Sequence, residues 1–441
     1  MNKEFIRKYR DLFGNESDDF FASLLKKRKR YFRLNKARDV DYLKELNSYK
    51  ISATDIPNIF SYDEPNEIIT NTISFLTGGI YIQNPSSVIP PMILSKLLGN
   101  KGIVIDVAAA PGGKTTALSE FSNRNMTIIA NEPSSSRLKS LNFNIEKYGA
   151  WNINTISYDG RILHKKLPQI FDGILLDAPC SNENKIGYND EVNKNWSIDL
   201  LNKMKKLQKE IILSSLQLLK PGGFLIYSTC TFSIEENEKN VEEILKENSD
   251  VELIDINENR FTKGISGNIS IDDKVIRVLP HKSEYDGFFI AGLKKKGELI
   301  IDDKHEKNIE ETKINRFFPG HTFEGAFKSI DGLVFFQKEN RVIEKIKFNK
   351  TGIKAGKIVK NELELSSQFL WEFGKFFNED KKIYIEREIA IEFLSGFDIN
   401  MEVDRDKNAL FYENIPVGIV KNLGGVLKNK LDRYFLYGRG I

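Results

Sequence analysis

The sequence predicts an α/β chain built on a doubly wound parallel sheet, with a small mixed α/β unit before it and a β-rich domain after it. Three observations predict this. Between residues 79 and 293, short apolar runs alternate with amphipathic stretches, the pattern of strands joined by helices. The polar landmarks Asp106, Glu132, Asp159, Asp177 and Cys230 all fall at the ends of those runs, and ligands of such sheets bind beyond the carboxyl ends of the strands. Past residue 316 the pattern changes to many short apolar runs separated by Gly-containing turns.

Composition narrows the class. A chain of 441 residues suits two or three domains, and 40% hydrophobic with 29% charged residues is ordinary for a globular protein. The net charge of +3 does not argue for nucleic acid, although it leaves room for a local basic patch. The start, MNKEFIRKYRDLF, has no apolar core of a signal peptide, and no later run approaches a membrane span. A cytoplasmic chain with no membrane partner is expected. Two cysteines do not make a disulfide framework or a Cys-based zinc site. His164, His281, His305 and His321 show no ligand spacing, so no metal is expected.

In chain order, residues 15–25 and 39–46 have helical periodicity with acids near their starts. Between them Lys26, Lys27, Arg28, Lys29 and Arg30 precede Tyr31, Phe32 and Arg33. Such a run suits a phosphate backbone with exposed bases, or equally a solvated helix end. Strands are predicted at 80–83, 102–107, 126–130, 153–157, 171–176 and 224–227, with closing strands at 275–279 and 287–293. Helices are predicted at 89–98, from 134–136 to 148 with Gly149 as stop, and at 199–219 before Lys220-Pro221-Gly222-Gly223. A further helix begins near Ser233, where Ser233 and Glu236 fit a capping box. Residues 294–315 are charged and weakly patterned, as in a linker.

The central stretch, KGIVIDVAAAPGGKTTAL at 101–118, reads as a buried strand delivering a glycine loop to a helix N-terminus. Ala108 occupies the position where a phosphate-binding P-loop needs glycine, and no GxGxxG is present. Glu132 is placed to bind ribose hydroxyls and Asp159 to hold an adenine edge. This acid series suits S-adenosylmethionine, which carries a ribose and an adenine but no phosphate. Any one of these acids taken alone also suits a helix cap or turn. Cys180 and Cys230 each lie just past a buried strand. A thiolate beside a methyl donor suggests covalent catalysis at a carbon that is otherwise a poor nucleophile, such as pyrimidine C5. Attack at C6 would make C5 nucleophilic. Asp177 could hydrogen-bond the N3/N4 edge, and a base must then take the C5 proton.

DVAAAPGGKTT (106–116), Asn131-Glu132, LDAPCS (176–181), PGGFLIYSTCTFSIEENE (221–238) and VLPHKSEYDGFFIAG (278–292) resemble, in order, the motifs of the Sun-type RNA cytosine-5 methyltransferases. The resemblance covers about 80–297. It implies a Rossmann-like seven-stranded methyltransferase sheet, S-adenosylmethionine as cofactor and RNA as substrate. It also implies Cys230 as nucleophile and Cys180 as the residue that helps resolve the covalent adduct; spacing alone does not say which cysteine attacks. The family's cofactor contacts fall on Ala109, Ala110, Pro111, Gly112, Gly113, Lys114, Glu132, Asp159 and Asp177. Ala108 stands where many members have Cys, which favours the bacterial 16S rRNA branch. The N-terminal unit and residues 82–87 resemble the family's RNA-binding extension. The tail IPVGIVKNLGGVLKNKLDRYFLYGRG is similar to the end of a PUA-like RNA-binding domain through Gly418, Lys421, Gly425, Lys428, Asn429 and Arg439; a structural β module is the alternative there. The expected divisions are 1–78, 79–297, a linker at 298–315, and 316–441. The expected partner is 16S rRNA or the small ribosomal subunit, bound by a monomer. The alternatives are tRNA, DNA through the Pro179-Cys180 pair, and a non-catalytic RNA-binding assembly factor.

Overall fold

The computed structural model describes residues 1–301 and 314–437. Most of the expected linker, together with His305 and Arg439, lies outside them. The described residues form two compact units: one contains 1–29, 84–138 and 156–301, the other 30–83, 139–155 and 314–437.

The first unit carries the α/β sheet. Its strands are β1 (Ile103–Asp106), β2 (Thr127–Asn131), β3 (Phe171–Asp177), β4 (Leu219–Thr229), β5 (Val251–Ile254), β6 (Ile276–Val278) and β7 (Phe288–Lys295). The order is β5-β7-β4-β3-β1-β2, with β6 on β7. The neighbours β2, β1, β3 and β4 are parallel, and β7 runs antiparallel to β4. All four residues of β1 are buried, as a parallel strand covered on both faces requires. Helix Ile198–Leu218 follows the predicted span, with Ser197 accepting a hydrogen bond from the Leu200 N–H at 3.1 Å as its cap. The predicted helix start at Ser233 moves to Glu238, and residues 233–237 stay non-helical.

Helices Lys3–Phe13 and Ser17–Leu25 belong to this unit because Phe5, Tyr9, Phe20 and Leu24 form one buried cluster with Trp196, Leu201, Phe232 and Leu279. Each such side chain contributes about 1.5–3 kcal/mol on burial. Compactness therefore parts residues 1–29 from the rest of the expected N-terminal extension. The basic–aromatic run is parted as well. Tyr31, Phe32 and Arg33 are buried in strand Arg30–Leu34, which removes the two rings as exposed base platforms, while Lys26, Lys27 and Lys29 are exposed.

The second unit is β-rich. Arg30–Leu34 lies in a four-stranded sheet with Ile51–Ala53, Ile59–Tyr62 and Ile80–Ile82. A second four-stranded sheet spans Ala326–Ile330 to Glu362–Leu365, and a five-stranded sheet holds Ala409–Tyr412, Ile415–Asn422 and Val426–Asn429. Phe32, Leu34 and Ile80 share one core with Trp371, Phe393 and Val417. The predicted strand at 153–157 forms as Ile153–Ile156 and pairs antiparallel with Lys350–Thr351. No helix among the described residues is long and apolar enough to cross a membrane.

Candidate active site

The ends of β1 to β4 converge on one edge of the sheet, and local hydrogen bonds hold their loops. Asp106, at the end of β1, is buried and accepts from the Thr115 hydroxyl at 2.7 Å. Ala109 N–H donates to the Asn131 carbonyl at 2.9 Å. The Asn131 amide donates to the carbonyls of Val107 and Tyr158, each at 2.9 Å, and accepts from Tyr158 N–H at 2.9 Å. One side chain thus ties the glycine loop to the loop that carries Asp159. Gly112 has φ of 108°, a backbone that favours glycine, and helix Gly113–Phe121 starts directly after it. The Ala110 carbonyl accepts from Arg137 at 2.7 Å, and Pro111 lies between it and Gly112.

Glu132 is buried at the end of β2. It accepts from Ser134 N–H at 2.9 Å and lies 3.3 Å from the Arg137 guanidinium. Asp159 is half-exposed, and both of its oxygens take donors from Arg161. Lys114 leaves the glycine loop for Asp177, 2.8 Å away, and lies 5.1 Å from the Phe288 ring centroid. Burial alone would lower the Lys114 pKa, but the carboxylates of Asp177 and Asp106 and the neighbouring Cys230 hold it above its ordinary value. The other Asp177 oxygen accepts from the Ser228 hydroxyl at 3.0 Å.

The cysteines meet. Asp177 of β3 and Ser228 of β4 are register partners, and the two chains continue side by side until the Cys180 and Cys230 sulfurs lie 3.3 Å apart. Both thiols are free. The hydrogen bond with Cys230, followed by burial, pushes the Cys180 thiol well above its ordinary pKa. Asn182, with φ of 55°, accepts from Cys230 at 3.3 Å and donates to the Cys180 carbonyl at 3.0 Å.

Two buried carboxylates clamp these loops. Glu236 accepts from Ser181 N–H at 3.1 Å, the Ser181 hydroxyl at 2.6 Å and the Gln208 amide at 2.7 Å. Burial, reinforced by Glu183, raises its pKa to about 7. Glu183 accepts from the Tyr9 hydroxyl at 2.5 Å, Trp196 Nε1 at 2.6 Å, the Thr231 hydroxyl at 2.5 Å and Phe232 N–H at 2.8 Å. The Glu236 N–H does donate to Ser233 Oγ at 3.3 Å, but the expected capping box is not completed, because its carboxylate points to Ser181 instead. Sequence reasoning missed both carboxylates. Glu183 had no local signal, and the local rule assigned Glu236 to the wrong partner.

The donor set fits S-adenosylmethionine. Asp106 Oδ1 is buried and accepts no hydrogen bond, and burial raises the Asp106 pKa to about 7. An acceptor beneath the glycine loop is thus left for a ligand donor, while Glu132, Asp159 and Asp177 are already paired with Arg137, Arg161 and Lys114, respectively. Residues 93–294 match the family described as 16S rRNA methyltransferase RsmB/F. The chain belongs to this family. Residues 1–85 match the N-terminal domain of 16S rRNA methyltransferase RsmF, and 380–437 match its PUA domain. The ribosomal RNA small subunit methyltransferase F of Psychromonas ingrahamii is 31% identical over 84% of this chain and 82% of its own. That of Pectobacterium carotovorum is 28% identical over 98% and 94%. A crystal structure of a methyltransferase homolog from Pyrococcus horikoshii superposes with a TM-score of 0.58 at 30% identity, covering 67% of this chain and 95% of that one. The family is S-adenosylmethionine-dependent, and its members act on rRNA.

Proposed function

We propose that this chain is a cytoplasmic, monomeric RNA cytosine-5 methyltransferase that methylates a cytidine of 16S rRNA through a covalent Cys230 adduct. The observation that carries this reading is the 3.3 Å approach of the only two cysteines beside the Lys114–Asp177 pair. Bound S-adenosylmethionine would supply an electrophilic methyl group on a sulfonium, and the 109–114 loop, Glu132, Asp159 and Asp177 would hold it. The Cys230 thiolate adds to C6 of the cytosine, and the C5=C6 electron pair becomes available at C5. Asp177 still has acceptor capacity for a donor on the N3/N4 edge. C5 would take the methyl group as the methyl–sulfonium bond breaks, its electron pair staying on the cofactor sulfur to leave S-adenosylhomocysteine; a base takes the C5 proton, and the C6–sulfur bond breaks to return the Cys230 thiolate. Cys180 acts in this release. The Lys114 ammonium lies beside Asp177 and near Cys230, and Glu183 and Glu236 position the loops that carry the sulfurs.

The test incubates the full chain with labelled S-adenosylmethionine and 16S rRNA, free and in assembled subunits. Cys230→Ala abolishes 5-methylcytosine, while Cys180→Ala accumulates a protein–RNA adduct on denaturing gels. Turnover by the Cys230 variant would overturn the nucleophile assignment, and absence of 5-methylcytosine with every substrate would overturn the function.

A further inference from the structure

The second unit contains a small cavity of about 240 Å³, walled by Phe75, Tyr81, Phe143 and Tyr148, with Lys147 in its lining. Lys147 is only 7% exposed, yet its ammonium has no hydrogen-bond or carboxylate partner among the described residues. It instead lies 3.7 Å from the Phe75 ring centroid and 5.8 Å from that of Phe143. With no protein partner among them, the ammonium depends on water or a ligand in the cavity for its hydrogen bonds. Burial, with the Arg38 charge nearby, lowers the Lys147 pKa to about 7, so the amine is partly uncharged at neutral pH.

The volume is below the roughly 300–1,000 Å³ of pockets for drug-sized ligands, and so suits a single flat ring system. Aromatic walls with one amine donor match a nucleobase that stacks on a ring and presents a carbonyl or ring-nitrogen acceptor. We propose that this cavity is a subsite for one unstacked rRNA nucleobase other than the methylated cytosine, packed against Phe75 and Phe143 with an acceptor on Lys147. This rests on the rRNA reading above.

Wild-type full chain is treated with trinitrobenzenesulfonate at pH 7, with and without 16S rRNA, and the modified peptides are identified by mass spectrometry. Lys147 is expected to react, and RNA to protect it. Lys147→Met and Phe75→Leu are expected to raise the KM for 16S rRNA roughly fivefold or more, leaving kcat and the KM for S-adenosylmethionine unchanged. Failure to label, labelling undiminished by RNA, or an unchanged rRNA KM in both variants overturns the subsite. If a variant fails to fold, the wild-type labelling decides alone. Absence of methylation by the wild type would count against the function, whereas protection of Lys147 reads RNA binding directly.

Discussion

Glu183 and Glu236 lie buried in the first unit with no ion pair among the described residues, taking only hydroxyl, amide and ring N–H donors. Arg38 and Lys147 lie buried in the second. Arg38 donates to the carbonyls of Thr77 and Lys147 at 2.6 Å each and pairs with Glu372 at 3.0 Å. The contrast separates two uses of buried charge. A carboxylate gathers donors from several chain segments, so it can set two loops at a defined separation. Near a cysteine its charge opposes a thiolate, and Glu236 acts in that direction on Cys180. Lys114, paired with Asp177, supplies the opposite sign beside Cys230. Arg38 and Lys147 of the second unit instead meet carbonyl oxygens, the Glu372 carboxylate and aromatic faces, which fixes a framework.

The largest effect that would break this contrast is in the second unit. Arg38→Met removes a buried guanidinium that donates to two carbonyls and pairs with Glu372, and should cost about 3–5 kcal/mol in chemical denaturation, while the Cys230 adduct still forms on the folded fraction. Next comes pH. Glu236 is raised from 4.5 to about 7 in the folded chain, so the folded state holds more protons than the unfolded state between those values. Stability present below about pH 4.5 is therefore lost as the pH rises through 7, by on the order of 3 kcal/mol at most. Glu236→Gln should flatten that slope in pH-dependent melts.

The third effect is kinetic. Glu236→Ala orphans the Ser181 and Gln208 donors and loosens both sulfur loops; kcat should fall on the order of 10²-fold with the KM for RNA unchanged, because small misplacements of reacting groups carry that penalty. The smallest concerns Lys114: Lys114→Met removes the ion-pair partner of Asp177 at the glycine loop and should raise the KM for S-adenosylmethionine by about tenfold in initial-rate kinetics. An unchanged KM would remove this ion pair from cofactor binding.

Much of this was legible in the chain itself. The apolar run Ile103–Asp106, the Gly112-Gly113 turn and the strand-end positions of Glu132, Asp177, Cys180 and Cys230 follow from local pattern. A buried parallel strand must be continuously apolar, and a sharp turn at positive φ favours glycine. What local pattern does not contain is the partner of a side chain across distant segments. Tyr9 reaches Glu183 from 174 residues away and Ser181 meets Glu236 across 55, so the clamp on the sulfurs exists only once the sheet has closed. The same holds for Tyr31 and Phe32, whose basic neighbours suggested a surface: strand pairing and core packing buried them. The sequence by itself determined which groups stand at the edge of the sheet, because hydrophobic period and turn chemistry act over a few residues. Only the tertiary structure decided that the sulfurs touch, that Lys114 turns to Asp177 and that Lys147 is enclosed by rings, because those outcomes depend on packing between segments that sequence order leaves far apart.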